Sequence, residues 1–354
     1  MAYLPYTDSG EYQKEIAEQY KKRIGSFDAG EVVESLHKLG FTKIKAEDLQ
    51  TTTAGNMNAT YLTPDLVIKI NKRGDMPYFY ANKVASDKLG GKMPVVEVLA
   101  YDYFDKTGFE VLVMKKALGQ SLLDTIFDLP QEDVIVIFKQ VLEVIKALLN
   151  IKFDNFGWLN LQTEAYPTYG DFINSELEKN LVKIKEQNLF SEQDIQKVKQ
   201  YLLKNLDVFQ DETSVFIHTD THMGNFLHVG NKLTALIDFD WSIKAPKFRV
   251  LAKLLSFLYD PQQFIEGSNY FEKYKGKNFM FLMPTLKAEL KELFDDKLLL
   301  KKLNLHFVSE GLMWIAEGWS DNWSKEMMKT ILKNELPETE EGLKQTYCGK
   351  ILNV

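Results

Sequence analysis

The chain has 354 residues, 45% of them hydrophobic and 12% aromatic, so it can bury a substantial core and is longer than one typical domain. A formal charge of -7 argues against a duplex-binding surface, which needs clustered Lys and Arg, and no nucleic-acid partner is expected. The single cysteine, Cys348, the lack of a basic and apolar leader, and apolar runs too short to cross a bilayer predict a reduced, soluble, cytoplasmic protein without a membrane partner.

Residues 10–39 carry a helical pattern, EYQKEIAEQYKKRI and AGEVVESLHKLG, with Gly40 as its stop. The period then changes. Residues 41–71 are rich in Thr, Val and Ile and are punctuated by Gly55, Asn56, Asn58 and Pro64-Asp65, which predicts two or three antiparallel strands. A short helix over 78–89, closed by Gly90 and Gly91, precedes two more strands in PVVEVLAYDYF and GFEVLVMKK. Beyond Lys116 helical patterns dominate, except for residues 215–238, where the apolar runs SVFIH and KLTALIDF flank a polar loop. No repeat or long Gly/Ser/Pro linker interrupts the chain, so two tightly joined lobes are expected, meeting near residues 116–121.

The polar loop holds His218, Asp220 and Asn225 as H-x-D-x-x-x-x-N, and Asp238 follows thirteen residues after Asn225. An Asp in such a loop can accept the proton of an attacking hydroxyl. An Asn amide oxygen and a second Asp are hard ligands suited to magnesium on nucleotide phosphates. An ordinary polar turn with a buried structural Asp would satisfy the same three positions.

At HTDTHMGNF and LIDFDW the chain resembles the aminoglycoside phosphotransferase and choline kinase branch of the protein-kinase-like superfamily. The resemblance covers roughly residues 49–255 in order and spacing, including FGWL at 156–159. It implies an α+β, protein-kinase-like bilobal fold: residues 1–116 as a nucleotide-binding lobe with a helical extension at 1–40, and residues 117–354 as a helical lobe with the catalytic loop and acceptor site. Asp220 would be the base, Asn225 and Asp238 the Mg2+ ligands, His218 a structural member of the loop, and Asp240 a further acid beside the metal. Lys69 in VIKIN resembles the strand lysine that neutralises the phosphates of ATP or GTP, and Gly55, Asn56 and Asn58 the turn over them. Backbone groups between Met114 and Ala117, Lys116 included, would meet the nucleobase, with Gly119 allowing the turn into the second lobe. The activity implied is transfer of the γ-phosphoryl group to a hydroxyl of a small acceptor.

The chain departs from the family pattern at three places. The helix over 78–89 contains no Glu to pair with Lys69; Asn82 is the nearest positional candidate, and Asp87 would require the helix to be turned. Thr219 replaces a glycine, and Arg249 and Val250 stand where an aspartate is common. These changes fit a specialised subgroup or a catalytically weak, kinase-fold binding protein. A second enzyme class also fits the loop: His218, Asp220 and His222 form H-x-D-x-H, with His228 close by, as in a metal hydrolase. That reading needs further ligands, while His37 and His306 lie in helical, exposed contexts by pattern; His222 is otherwise an acceptor-side residue. For the acceptor, Glu310, Glu317 and Asp321 alternate with Trp314, Trp319 and Trp323. They form either a site for a cationic amine or an amphipathic helix with its tryptophans in the core.

Overall fold

In the computed structural model, which describes residues 28–51, 58–71, 77–103, 109–161, 164–261, 271–318 and 321–353, the β-branched run near the N-terminus becomes a five-stranded antiparallel sheet. Its strands are β1 (Gln50–Thr51), β2 (Ala59–Leu62), β3 (Leu66–Asn71), β4 (Val98–Tyr103) and β5 (Glu110–Lys115), in the order β1-β2-β3-β5-β4. Central β3 pairs Lys69 with Thr60 on one side and Leu112 on the other. Because side chains alternate across a strand, Ile68 and Ile70 face one side while Lys69 faces the other.

Each face has its own cover. Helix α1 (Ala29–Lys38) opens on Asp28, whose Oδ1 accepts from Gly30 N–H (2.9 Å) and Glu31 N–H (3.1 Å). It ends before Gly40 at φ +93°, and its Val32 and Leu36 pack on Ile68, Ile70, Val111 and Val113. The expected helix upstream of residue 28 lies outside the described residues. The opposite face meets Tyr78 and Phe79, at the entry to helix α2 (Tyr80–Leu89). Buried Glu110 of β5 fixes that entry by accepting from Tyr78 N–H (2.6 Å), Phe79 N–H (2.7 Å) and Asn71 Nδ2 (3.1 Å).

Past Gly119 the chain is mainly helical, with α3 (Gln131–Leu149), α4 (Tyr169–Glu186), α5 (Glu192–Asn205), α6 (Arg249–Tyr259), α7 (Leu299–Ala316) and α8 (Asp321–Asn334) as its longer elements. The i, i+3, i+4 stripe of α3, from Val134 through Phe138 and Ile145 to Leu149, is buried in the largest core. A capping box between Thr168 and Asp171 starts α4. Gly119 lies at φ +107°, and a Cβ there would collide with the His228 carbonyl, so this turn requires glycine.

Two small sheets set the polar loop, and their strands of two to five residues are mostly too short to show a period. One orders β11 (Lys232–Leu236), β10 (Phe226–Val229) and β6 (Gln120–Ser121); the other orders β7 (Lys152–Phe153), β9 (Ser214–Ile217), β12 (Ile243–Ala245) and β8 (Gly157–Trp158). The loop 218–225 leaves β9, and 237–242 bridges β11 to β12, so both halves of the motif emerge side by side. The fold is therefore mixed α+β, as expected. Among the described residues no helix is long and apolar enough to cross a membrane.

One structural carboxylate in the helical region carries a pH consequence. Glu335 is 3% exposed and accepts from Tyr347 N–H (3.2 Å) and Asn304 Nδ2 (3.3 Å). Burial pushes its carboxyl from 4.5 up to about 7, against the Tyr347 hydrogen bond and the charge of Lys350. A raised carboxyl pKa means that the folded state binds the extra proton, so this contribution is complete below pH 4.5 and is lost as pH rises through about 7. Glu335→Gln is expected to gain stability relative to the parent across that window, by on the order of 3 kcal/mol, measured by urea unfolding at pH 4.5 and pH 8.

Candidate functional site

Lys69 reaches from β3 into the other half of the molecule. Its Nζ donates to Asp238 Oδ1 (2.8 Å) and Asp240 Oδ2 (2.9 Å), with side-chain exposures of 13%, 39% and 5% in that order. Burial works against the ammonium, but the two carboxylates outweigh it and raise its pKa above the ordinary value. Burial would likewise raise Asp238, yet Lys69 holds it below the usual carboxylate range. Burial and the adjacent Asp238 push Asp240 up to about 7.

The missing helix glutamate is accounted for by this arrangement. Asn82 of α2 donates through Nδ2 to Asp240 Oδ1 (2.8 Å) and accepts at Oδ1 from Phe239 N–H (3.3 Å). Asn58 Nδ2 donates to Asp240 Oδ2 (2.9 Å). The carboxylates opposing Lys69 come from the 237–242 segment, and the helix contributes a neutral amide. Asp87 plays no part here, forming an i, i+4 pair with Lys83 (2.5 Å). Asn160, two residues after Trp158, locks the assembly from below: its Nδ2 donates to Asp240 O (2.5 Å) and its Oδ1 accepts from Ala81 N–H (2.8 Å).

Asp238 adopts φ +65°, a left-handed conformation that costs a non-glycine residue about 1–2 kcal/mol. The bend lets consecutive segments serve opposite needs, with Asp238 toward solvent and Phe239 in the core. His218 anchors the bend. Its Nδ1 accepts from Asp220 N–H (3.4 Å), so its Nε2 carries the proton and donates to Ile237 O (3.1 Å). Burial lowers its pKa to about 4, leaving it neutral.

Asp220 is surrounded by donors. Asn225 Nδ2 donates to its backbone O (2.8 Å) and Oδ2 (3.1 Å). His222 accepts Gly224 N–H at Nδ1 (3.0 Å), so it presents Nε2–H to Asp220 Oδ2 at 3.4 Å. Lys253 of α6 places Nζ 3.3 Å from Oδ1. Burial alone would raise this carboxyl, but His222 and Lys253 hold it well below the usual range.

The loop does not assemble the alternative metal centre. Both ring nitrogens of His218 are committed to backbone groups, and His228 bonds Thr125 Oγ1 (2.6 Å) and Gly230 O (2.7 Å). Among the described residues no group of three His, Cys, Asp or Glu is placed to hold a metal ion. His306, expected to be exposed, is 3% exposed instead and sits between Arg249 and Glu310 (3.4 Å). Every residue from 303 to 309 of α7 is buried, so this stretch is covered on all sides, which the local pattern alone does not reveal.

The remaining candidates separate. Gly55 and Asn56 lie outside the described residues. Met114 is buried in β5, paired with Val67 and Val98. Lys116 N–H donates to Asp65 O (2.8 Å), so that amide serves the sheet rather than a nucleobase. Of the acidic and aromatic set, Glu310 faces His306 (3.4 Å) and lies in the electrostatic field of Arg249 and Lys253. Glu317 instead pairs with Lys183 (3.4 Å), Asp321 is exposed at the start of α8, Trp314 packs on the core and Trp323 is buried in it. Trp319 is outside the described residues. Among the described residues of that stretch, an amphipathic helical reading accounts for all but Glu310.

Sequence reasoning missed Asn160, Glu110 and Lys253. Only Lys253 left a local signal, a lone cation in the otherwise apolar run VLAKLLSFL.

Comparison with known proteins bears on the family and the fold. The family model described as phosphotransferase enzyme family (APH) matches residues 53–274. No curated protein sequence matches. Among solved structures, a thermostable mutant of aminoglycoside phosphotransferase APH(4)-Ia in ternary complex with AMP-PNP and hygromycin B superposes with a TM-score of 0.58 at 16% identity, covering 84% of this chain and 98% of its own. The streptomycin–ATP–APH(2")-IIa ternary complex gives 0.60 at 16% identity, covering 87% and 99%. ADP-bound APH(2'')-Ib gives 0.56 at 16% identity, covering 86% and 98%. These neighbours share the kinase-like fold, and the family match over more than half of the chain makes this protein a member of the phosphotransferase enzyme family.

Proposed function

We propose that the protein transfers the γ-phosphoryl group of ATP or GTP to a hydroxyl of a small molecule, with Asp220 as the base. The observation that carries the reading is the convergence of three separate segments: Asp220 and Asn225 in one loop, Asp238 in a second, and Lys69 on the sheet, with Lys69 bonded to Asp238, Asn225 to Asp220, and the two loops joined through His218 and Ile237. Asp220 accepts the hydroxyl proton late, as the bond from the acceptor oxygen to phosphorus forms and the bond to the leaving diphosphate breaks. Lys69 restrains the nucleotide phosphates, and its hold on Asp238 and Asp240 fixes its position before the nucleotide arrives.

The donor set suits magnesium. Asn225 spends its Nδ2 on Asp220, which leaves the amide oxygen for a hard cation, and Asp238 is the more exposed of the two carboxylates on Lys69. Bound there, Mg2+ would neutralise charge on the β- and γ-phosphates. The acceptor would approach Asp220 from the helical side, past His222 and Glu310. The neighbours solved with hygromycin B and streptomycin make polyhydroxylated amino-sugars a first acceptor class to screen, beside amino alcohols and simple sugars.

Asp220→Asn is expected to lower turnover by about 10²–10⁴-fold while nucleotide affinity stays within a small factor, read by a coupled ADP assay and calorimetry. Undiminished turnover removes Asp220 from the role of base. At Asp238 the backbone and the side chain make opposite demands. Both Asp238→Gly and Asp238→Ala are expected to lose magnesium-dependent nucleotide binding, but the alanine variant, which inherits the positive φ, should be less stable than the glycine variant by about 1 kcal/mol. Calorimetric titration with and without magnesium, together with thermal unfolding, reads both effects.

A further inference from the structure

Helix α6 carries a single charged side chain beyond its first residue, Lys253, while every other residue from 250 to 258 is buried. A lysine in such a run is costly unless its charge is used. Its Nζ lies 3.3 Å from Asp220 Oδ1 and its side chain is 19% exposed. Asp220 Oδ2 is already engaged by Asn225 Nδ2 (3.1 Å) and faced by His222 Nε2 (3.4 Å). An acceptor hydroxyl must come within about 3 Å of a carboxylate oxygen of the base, and the attacked phosphorus lies about 3–3.5 Å beyond that hydroxyl. An ammonium beside Oδ1 is therefore within one side-chain swing of the transferring group.

We propose that Lys253 is a catalytic residue, whose ammonium contacts the non-bridging oxygens of the phosphoryl group in flight while steering Asp220 toward the acceptor. The inference rests on the phosphotransferase reading above. Lys253 stays protonated throughout. The acceptor hydroxyl proton passes to Asp220, the acceptor oxygen bonds to phosphorus, and the electron pair of the broken bond leaves with the bridging oxygen of the nucleoside diphosphate. Negative charge spread over the equatorial oxygens in the transition state is what a preorganised cation stabilises most. Lys253 would supply that cation from the helical side, opposite Lys69 on the sheet.

The test uses the full chain with magnesium and ATP, with water and any identified alcohol as acceptors. Lys253→Met is expected to lower kcat by about a hundredfold, with the KM for ATP and the thermal midpoint nearly unchanged, and Lys253→Arg to recover most of the loss. In an Asp220→Asn background, Lys253→Met should still lower the residual rate by about tenfold, since contact with the phosphoryl group does not act through the base. Should the methionine variant fail to fold, Lys253→Gln carries the same comparison. A Lys253 variant as fast as the parent, or a loss that vanishes in the Asp220→Asn background, overturns the inference. A parent enzyme that consumes no ATP with any acceptor overturns the phosphotransferase reading, and this role with it.

Discussion

One ammonium group holds two parts of the molecule to a common geometry. Lys69 leaves the middle of a five-stranded sheet and meets Asp238 and Asp240, which belong to the segment between two small sheets of the helical region. Two carboxylates this close, one of them almost fully buried, repel each other strongly where the effective dielectric is low. A cation lying between them offsets that repulsion, and removing one partner of such a buried cluster typically costs about 3–5 kcal/mol. The sheet therefore cannot slide relative to the 237–242 segment without exposing uncompensated charge.

The amide at Asn82 follows from that charge count. With Asp240 already opposing Lys69, a glutamate on α2 would bring a third carboxylate to one lysine. Asn82 instead donates to Asp240 and accepts from Phe239 N–H, satisfying both groups without adding charge. Because the carboxylate comes from the chain beside Asp238, the position of Lys69 depends on α2 only through a hydrogen bond. Glu110 and Asn160 then supply what holds α2 itself, one at its entry and one at Ala81 N–H.

The loop on the helical side follows the same economy. Neutral His218 ties Asp220 to Ile237 with one donor and one acceptor, so the two acidic positions are spaced by an imidazole rather than by flexible chain. Asp220 is itself ringed by Asn225, His222 and Lys253, which favours its ionised form. A rigid, pre-ionised carboxylate held by one cation and neutral donors suits a reaction whose main demand is placement of charge.

Much of this was legible in the chain itself. The change from strand to helical period, the long amphipathic helices and the spacing of Asp220, Asn225 and Asp238 are local properties, written in residue type and interval. Gly40 and Gly119 fall where φ is positive for reasons a single residue can state. The very short strands escaped because so few residues carry no period, and His306 because its cover comes from elements distant in sequence. What only the tertiary structure decided is which charges face one another. Lys69 and Asp240 are separated by 171 positions, and Lys253 and Asp220 lie on different elements. Pairing across such distances is fixed by how the sheet, α2 and α6 pack, because an ion pair depends on proximity in space and leaves no periodic trace along the chain.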